Sequence, residues 1–494
     1  MIYRDIDNLL EYSEIHLMAN EADKVYNRNR LLALFRIKDY EDCGIDNNIM
    51  QLSNPESLLK PLVSYAVERG IIEIEQTESI KSESMDIVSL RPSELQAWFA
   101  EMYVEDSMAA MDWFYNYCVK NNYIKATAIA KNICWLAQNT KHKLQITINL
   151  TKPEKNNKDI ATAAKQRGKK YPMCVICYEN EGYAGSDKQN LRTIPITLNG
   201  EEWFWQFSPY AYFYKHGVAI NRKHKPMEVT IETVEKLVEF CDMFPKWFIG
   251  CNAALARIGG SLLMHDHFQG GEYEMPIHNC GYLKVFEDHK YTNTKIGIVN
   301  WYNSVIRIEG NKTQVLQLCN KIIDKWSNYT NEKLNIIAKT DEQHNSLSPI
   351  ARKKGMNYIV DLILRNNRCN FEFSDGIFHA HKQWHFIKNE GIGLIEAMGL
   401  FILPARLEGQ LLLVKKYLIG EDIHFDDDYS DFYKFAQKLS EKYGLCNDIT
   451  QADSIIKNEV GEICENILYD TAVFKPYEND SMEALYCFVE DILR

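Results

Sequence analysis

The chain has 494 residues, 46% apolar and 25% charged, with a formal net charge of −12. Its length suits roughly two to four domains, its negative balance excludes a nucleic-acid binder that works through a broad basic surface, and no apolar run is long enough to span a bilayer. The charged start, Met1-Ile2-Tyr3-Arg4-Asp5-Ile6-Asp7, lacks the apolar stretch of a signal peptide, and the 13 scattered cysteines read as reduced thiols of a cytoplasmic protein.

Residues 1–145 read as a mainly helical region. Ile6, Leu9, Leu10 and Tyr12 recur near helical spacing, as do Leu31, Leu32 and Leu34, then Leu58, Leu59 and Leu62. Trp113, Phe114, Ile129 and Ile133 continue the pattern, and no residue of this region carries evident chemistry. The texture changes at 144–150, where Leu144-Gln145-Ile146-Thr147-Ile148-Asn149-Leu150 alternates as a strand does. A Lys-rich polar stretch, 152–170, follows. Beyond it 217–220 reads as strand, 229–243 as a helix with Val234, Leu237, Val238 and Phe240 on one face, and 305–308 as strand. A further α/β set has a helix at 315–326, strands at 358–364 and 400–403, and a helical tail over 430–494.

Chemistry concentrates at Gly259-Gly260-Ser261-Leu262-Leu263-Met264-His265-Asp266-His267-Phe268-Gln269-Gly270-Gly271. On an extended strand alternate residues share a face, so His265, His267 and Gln269 are expected to point into one pocket. The flanking glycines let backbone approach a bulky anion. A histidine nucleophile beside an amide donor suits transfer of a phosphoryl-type group. Satisfied core histidines are the bland alternative, but burying three polar side chains together is costly without partners or a ligand.

Cys174-Val175-Ile176-Cys177 is either half of a metal site or two buried thiols. Loop-like Glu179-Asn180-Glu181-Gly182-Tyr183 follows it, which argues against a redox pair opening a helix. A tetrahedral site needs two more ligands, and His224 and His265 are the candidates. A second cluster, His379-Ala380-His381 with His385, shares a face if 377–387 is a strand. With His344 and Glu274 it could hold a harder metal, or it lines a polar pocket without one. Arg192, Arg307, Arg352, Arg365, Lys388 and Arg406 are candidates for phosphate contacts, each weighed against an ordinary salt-bridged role. Glu396 sits in the apolar run Gly393-Leu394-Ile395-Glu396-Ala397-Met398-Gly399, as either a ligand contact or a paired core carboxylate.

With these blocks in hand, together with Asn27-Arg28-Asn29-Arg30-Leu31-Leu32, 148–155, 179–185, Thr197-Leu198-Asn199-Gly200-Glu201, Leu364-Arg365-Asn366-Asn367-Arg368 and 392–407, the chain resembles a known family over almost its whole length. The family is the longer, Gram-positive type of galactose-1-phosphate uridylyltransferase (UDP-glucose–hexose-1-phosphate uridylyltransferase) in the histidine-triad superfamily. The resemblance implies that His267 attacks UDP-glucose, releases glucose 1-phosphate and passes UMP to galactose 1-phosphate, with Gln269 steadying the phosphoryl oxygens. It implies Asn252 and Ser261 near the uridylyl group and Glu396 holding the hexose; Lys388 stays a candidate substrate contact. It implies structural zinc on Cys174, Cys177, His224 and His265, and a second metal, iron or zinc, on His344, His379, His381 and Glu274. A cytoplasmic homodimer goes with it.

The fold expected is α/β (α+β): two histidine-triad-like units with mainly antiparallel sheets behind a helical N-terminal region, divided as 1–145, 146–310 with the histidine motif, and 311–494. The chain departs from the family where Cys251-Asn252-Ala253-Ala254-Leu255-Ala256 replaces the usual Ser-Asn-Ala-Asp-Leu-Pro, and at Ala380 and Phe386, where proline and histidine are usual. These departures motivate two other readings: the same chemistry on another sugar 1-phosphate or nucleotide donor, and a nucleotide-sugar-binding paralogue without turnover.

Overall fold

The computed structural model describes residues 2–151, 171–260, 262–426 and 429–494, so Ser261 and the Lys-rich stretch 152–170 lie outside the described residues. The chain forms two compact units, each interrupted in sequence. The first is Met1–Ala130, Asn156–Lys225 and His265–His267; the second is Lys131–Lys155, Pro226–Met264 and Phe268–Arg494.

The first unit begins with the expected helices. Ile2–His16 buries Ile6, Leu9 and Leu10 along one stripe, and Glu56–Glu68 buries Leu59 and Leu62. Local chemistry sets their ends: Pro92 starts the helix Pro92–Glu105, where its missing N–H costs nothing. The Asp106 carboxylate accepts from the amides of Met108 and Ala109 to start Ser107–Lys120. Three antiparallel strands follow in the order Ile194–Leu198, Glu201–Phe207, Gly217–Asn221. Asn199 and Gly200 join its first two strands with φ of 49° and 72°, the left-handed pair that a two-residue hairpin requires. Arg192 is spent within this unit, paired with Asp86 at 2.9 Å and donating to the Leu90 carbonyl at 2.8 Å.

The second unit holds two sheets. The smaller runs Ile133–Leu136, Gln145–Asn149, Leu400–Pro404, with the last pair parallel. Here the helical pattern read through Ile133 stops early: β-branched Ile133 and aromatic Trp135 pair across from Ile148 and Ile146 instead. The larger sheet is antiparallel within this unit, in the order His267–Gly271, Phe248–Gly250, Asn345–Lys354, Asn357–Asn366, Val305–Gly310, Lys295–Val299, Tyr282–Phe286. The helices Ile231–Met243 and Lys312–Ser327 pack on it. Val234, Leu237, Val238 and Phe240 are buried along the first of these, as their spacing predicts. The tail is helical, ending in Ile449–Thr471 and Asn479–Leu493. The segment 377–387 is the exception: it is turn and 3₁₀ structure, so the strand face expected for His379, His381 and His385 does not form. The architecture is mixed α/β with mainly antiparallel sheets behind a helical N-terminal region.

Sheet register threads one face through the second unit. Gln269 lies opposite Gly250, Gly250 opposite Ile350, Ile350 opposite Asp361, and Asp361 opposite Arg307. Alternation adds Arg352 and Arg365 to that face. Asp361 is fully buried and takes Arg307 at 2.5 Å and Arg352 at 2.8 Å. Burial alone would push its carboxyl up, but the two guanidiniums hold it below the usual carboxylate range. Arg307 and Arg352 are therefore structural here. Asp361→Ala leaves two guanidiniums unpaired, and is expected to cost about 3–5 kcal/mol, read as a lower midpoint in urea denaturation.

Among the described residues no helix is long and apolar enough to cross a membrane.

Candidate functional site

Cys174 and Cys177 sit in a tight loop that Asn180 closes, its amide donating to the Cys174 carbonyl at 2.8 Å and the Cys177 carbonyl at 2.9 Å. The Cys174 amide points at the Cys177 sulfur, 3.2 Å away. His224 follows the strand Gly217–Asn221, and His265 is brought beside it by a backbone bond from the Asn221 amide to the Asp266 carbonyl at 3.0 Å. The two sulfurs are 3.4 Å apart. Cys174 Sγ lies 3.3 Å from His265 Nδ1, and Cys177 Sγ lies 3.2 Å from His224 Nδ1. All four ligand atoms fall within 4.8 Å of one another. A tetrahedral ion with arms of about 2.3 Å to sulfur and about 2.0 Å to nitrogen needs edges close to these.

The donor chemistry fits as well. His265 Nε2–H donates to the Asn221 carbonyl at 2.8 Å, which turns the Nδ1 lone pair toward the sulfurs. The bond from Cys177 brings the Cys174 thiol down to about 7, and the same bond pushes Cys177 up to about 11. Burial works against a charged His265, but its contacts with Cys177 and the Asn221 carbonyl raise it overall. Cys174, Cys177, His224 and His265 thus form a group able to hold a metal ion.

The strand proper begins only at His267. His265 lies before it in a bend, so its ring goes to the cysteines rather than to the face of His267 and Gln269. This corrects the single three-residue face read from the spacing. His265 nonetheless serves His267, because its carbonyl accepts from His267 Nδ1–H at 2.7 Å. That bond fixes the tautomer and leaves Nε2 with the lone pair. His267 is buried, and burial lowers its pKa below the usual imidazole value despite the carbonyl bond. A neutral, oriented imidazole is the form a nucleophile needs. Gln269 stands two residues along the same strand, on the same face.

Asn252, Glu396 and Lys388 meet in the second unit. Asn252 Oδ1 accepts from the Leu394 amide at 2.9 Å, at the start of the short helix Leu394–Ala397. Glu396 Oε2 accepts from the Gly393 amide at 3.0 Å, and Oε1 pairs with Lys388 Nζ at 2.6 Å. Lys388 also donates to the Ile402 carbonyl at 3.1 Å. Burial opposes its charge, but Glu396 and Glu390 raise its pKa above the ordinary lysine value. Glu396 is therefore paired through one oxygen to Lys388 and through the other to the backbone.

His344, His379, His381 and Glu274 are not drawn together. His344 Nδ1–H donates to Asn367 Oδ1 at 2.8 Å, and its Nε2 accepts from the Thr340 hydroxyl at 2.7 Å. His381 lies against the Ile377 carbonyl and Asp470. His379 Nδ1 donates to the Ala380 carbonyl, and Glu274 is exposed. Among the described residues the cysteine–histidine group is the one cluster that could hold a metal. Spacing gave no warning, because turns at 377–381 replace the strand that would have aligned these rings. Sequence reasoning also missed the Asn221 carbonyl, a backbone group with no signature.

A family model described as galactose-1-phosphate uridyl transferase, N-terminal domain, matches residues 18–226, and its C-terminal counterpart matches 239–426. A galactose-1-phosphate uridylyltransferase of Bifidobacterium longum is 38% identical, over 96% of this chain and 95% of that one. The galactose-1-phosphate uridylyltransferase 1 of Streptococcus pneumoniae is 37% identical, over 99% of this chain and 98% of that one. A yeast Ap4A phosphorylase solved with AMP aligns at 10% identity and a TM-score of 0.30, covering 56% of this chain and 86% of that one, a likeness too slight to carry inference.

Proposed function

The chain belongs to the galactose-1-phosphate uridylyltransferase family and moves UMP between UDP-glucose and galactose 1-phosphate, and we propose that it does so through a uridylyl group carried on His267. The observation that carries the covalent step is the Nδ1–H bond from His267 to the His265 carbonyl at 2.7 Å, which leaves Nε2 as the nucleophile. Nε2 attacks the α-phosphorus of UDP-glucose. A P–N bond forms, the bond from that phosphorus to the bridging oxygen breaks, and glucose 1-phosphate leaves with the electron pair. A phosphate oxygen of galactose 1-phosphate then attacks the same phosphorus, the P–N bond breaks, and UDP-galactose departs. Imidazole suits both roles, nucleophile and leaving group, near neutral pH.

In this reading Gln269 donates its amide to the phosphoryl oxygens as charge shifts. Asn252 and Ser261 serve the uridylyl side, and Glu396 and Lys388 the sugar side. Zinc on Cys174, Cys177, His224 and His265 is structural: it ties the loop, the end of Gly217–Asn221 and the approach to His267 together. A second iron or zinc ion on His344, His379, His381 and Glu274 is no part of the mechanism, since the three histidines hold other partners and Glu274 is exposed. The functional segments are read as 1–145, 146–310 and 311–494, in a cytoplasmic homodimer; the resemblance alone supports that state.

Intact-protein mass after mixing with UDP-glucose alone tests the covalent step. A gain of one UMP, discharged by galactose 1-phosphate, is expected. No adduct in a protein that binds UDP-glucose would sink it. Discharge by another sugar 1-phosphate in preference would keep the chemistry and change the acceptor.

A further inference from the structure

Four of the six cations singled out from the sequence are accounted for by partners: Arg192 by Asp86, Arg307 and Arg352 by Asp361, Lys388 by Glu396. Arg406 donates to the Phe386 carbonyl and to Gln410. Arg365 differs. It is 2% exposed, at the end of the strand Asn357–Asn366, and no carboxylate pairs with it among the described residues. Nη2 donates to the Ile392 carbonyl at 2.7 Å, while Nη1 is buried without a partner. Burial lowers the guanidinium to about 10, with Glu396 the group that pushes the other way. A neutral side chain would fill this place at less cost, so the charge itself has a use.

The bond falls on a particular piece of chain. Ile392 lies between Gly391 and Gly393, and both glycines press on Gly259. A Cβ on Gly391 would come within 2.6 Å of the Gly259 nitrogen, and one on Gly259 would strike the Gly393 backbone. Gly393 and Leu394 then give their amides to Glu396 and Asn252. Arg365 therefore grips the arm 391–396 at its one non-glycine residue before the helix. The charges around this arm are Lys388, Arg365 and Arg406 against Glu390 and Glu396. Three cations face two carboxylates, which leaves one positive charge in surplus. Without Arg365 the surplus is gone, and a dianionic sugar phosphate would meet two carboxylates at the arm with nothing left over to favour it.

We propose that Arg365 is a positioning residue for the sugar side of the site: it seats the arm 391–396 through the Ile392 carbonyl and supplies the buried positive charge that lets a sugar 1-phosphate approach Glu396. The inference rests on the reading that Glu396 holds the hexose.

Arg365→Gln tests it. KM for UDP-glucose and for galactose 1-phosphate is expected to rise by about tenfold or more, the scale of one lost charge interaction, with kcat falling less. Affinity for UMP, which has no hexose, stays within about twofold on that reasoning. Adding Glu390→Gln restores the charge surplus and is expected to recover most of the KM; a merely structural arginine would show no such rescue. Unchanged KM in Arg365→Gln, a parallel loss of UMP affinity, or no rescue by Glu390→Gln overturns the inference. If Arg365→Gln does not fold, Glu390→Gln alone decides: a lower KM for galactose 1-phosphate supports it, and no change overturns it. Failure of the wild-type protein to form a UMP adduct would instead sink the reaction assigned to the site.

Discussion

His267→Ala is expected to abolish UMP transfer, with a loss on the order of 10⁴-fold or more, because it removes the nitrogen proposed to form the P–N bond. The folded state should survive, since the ring makes one hydrogen bond, to a backbone carbonyl. Mass spectrometry with UDP-glucose then shows no adduct, while UMP still binds. The same residue sets the pH profile. Burial lowers the His267 pKa, so the imidazole stays neutral into a range where an ordinary histidine, near 6.5, is half protonated. Uridylylation measured by rapid quench should therefore hold its rate as pH falls through 6.5 and fail only below it. Retention of transfer by a folded His267→Ala, or an acid limb displaced above 6.5, would refute the assignment.

Removing the metal is the second large effect. One zinc per chain is expected by elemental analysis. Cys177→Ser, or a strong chelator, should remove it and lower the thermal midpoint by ~10 °C or more, since the energy of a structural ion is folding energy. Adduct formation should fall with it, because the ligand His265 also carries the carbonyl that orients His267. Cys241→Ser, a buried thiol outside the cluster, should leave metal content untouched. A metal-free protein indifferent to chelation would overturn the structural ion.

Much of the candidate site was legible because its parts are contiguous: His267 and Gln269 lie on one strand, and Cys174 and Cys177 in one loop. What failed was continuity of strand. Two histidines two apart look like strand neighbours, yet the bend at His265 turns one ring to sulfur and the other to the reaction face. Over 377–387 the same assumption aligned three rings that turns in fact separate. Ile133 looked like the end of a helical stripe, and only its partners in the small sheet show otherwise. Arg365 could be nominated but not distinguished, because the absence of a carboxylate partner is a property of the fold and not of the residue.

The Asn221–His265–His267 relay has a genetic consequence. Both of its joints end on main-chain carbonyls, those of Asn221 and His265. Such oxygens are present whatever side chain the codon specifies, so no missense change can delete them. Mutation can only displace them. Inheritable damage to the orientation of His267 should therefore map to positions that move backbone, such as the loop closed by Asn180, the Asn221–Asp266 crossing and the cluster residue His265, rather than to the side chain of Asn221.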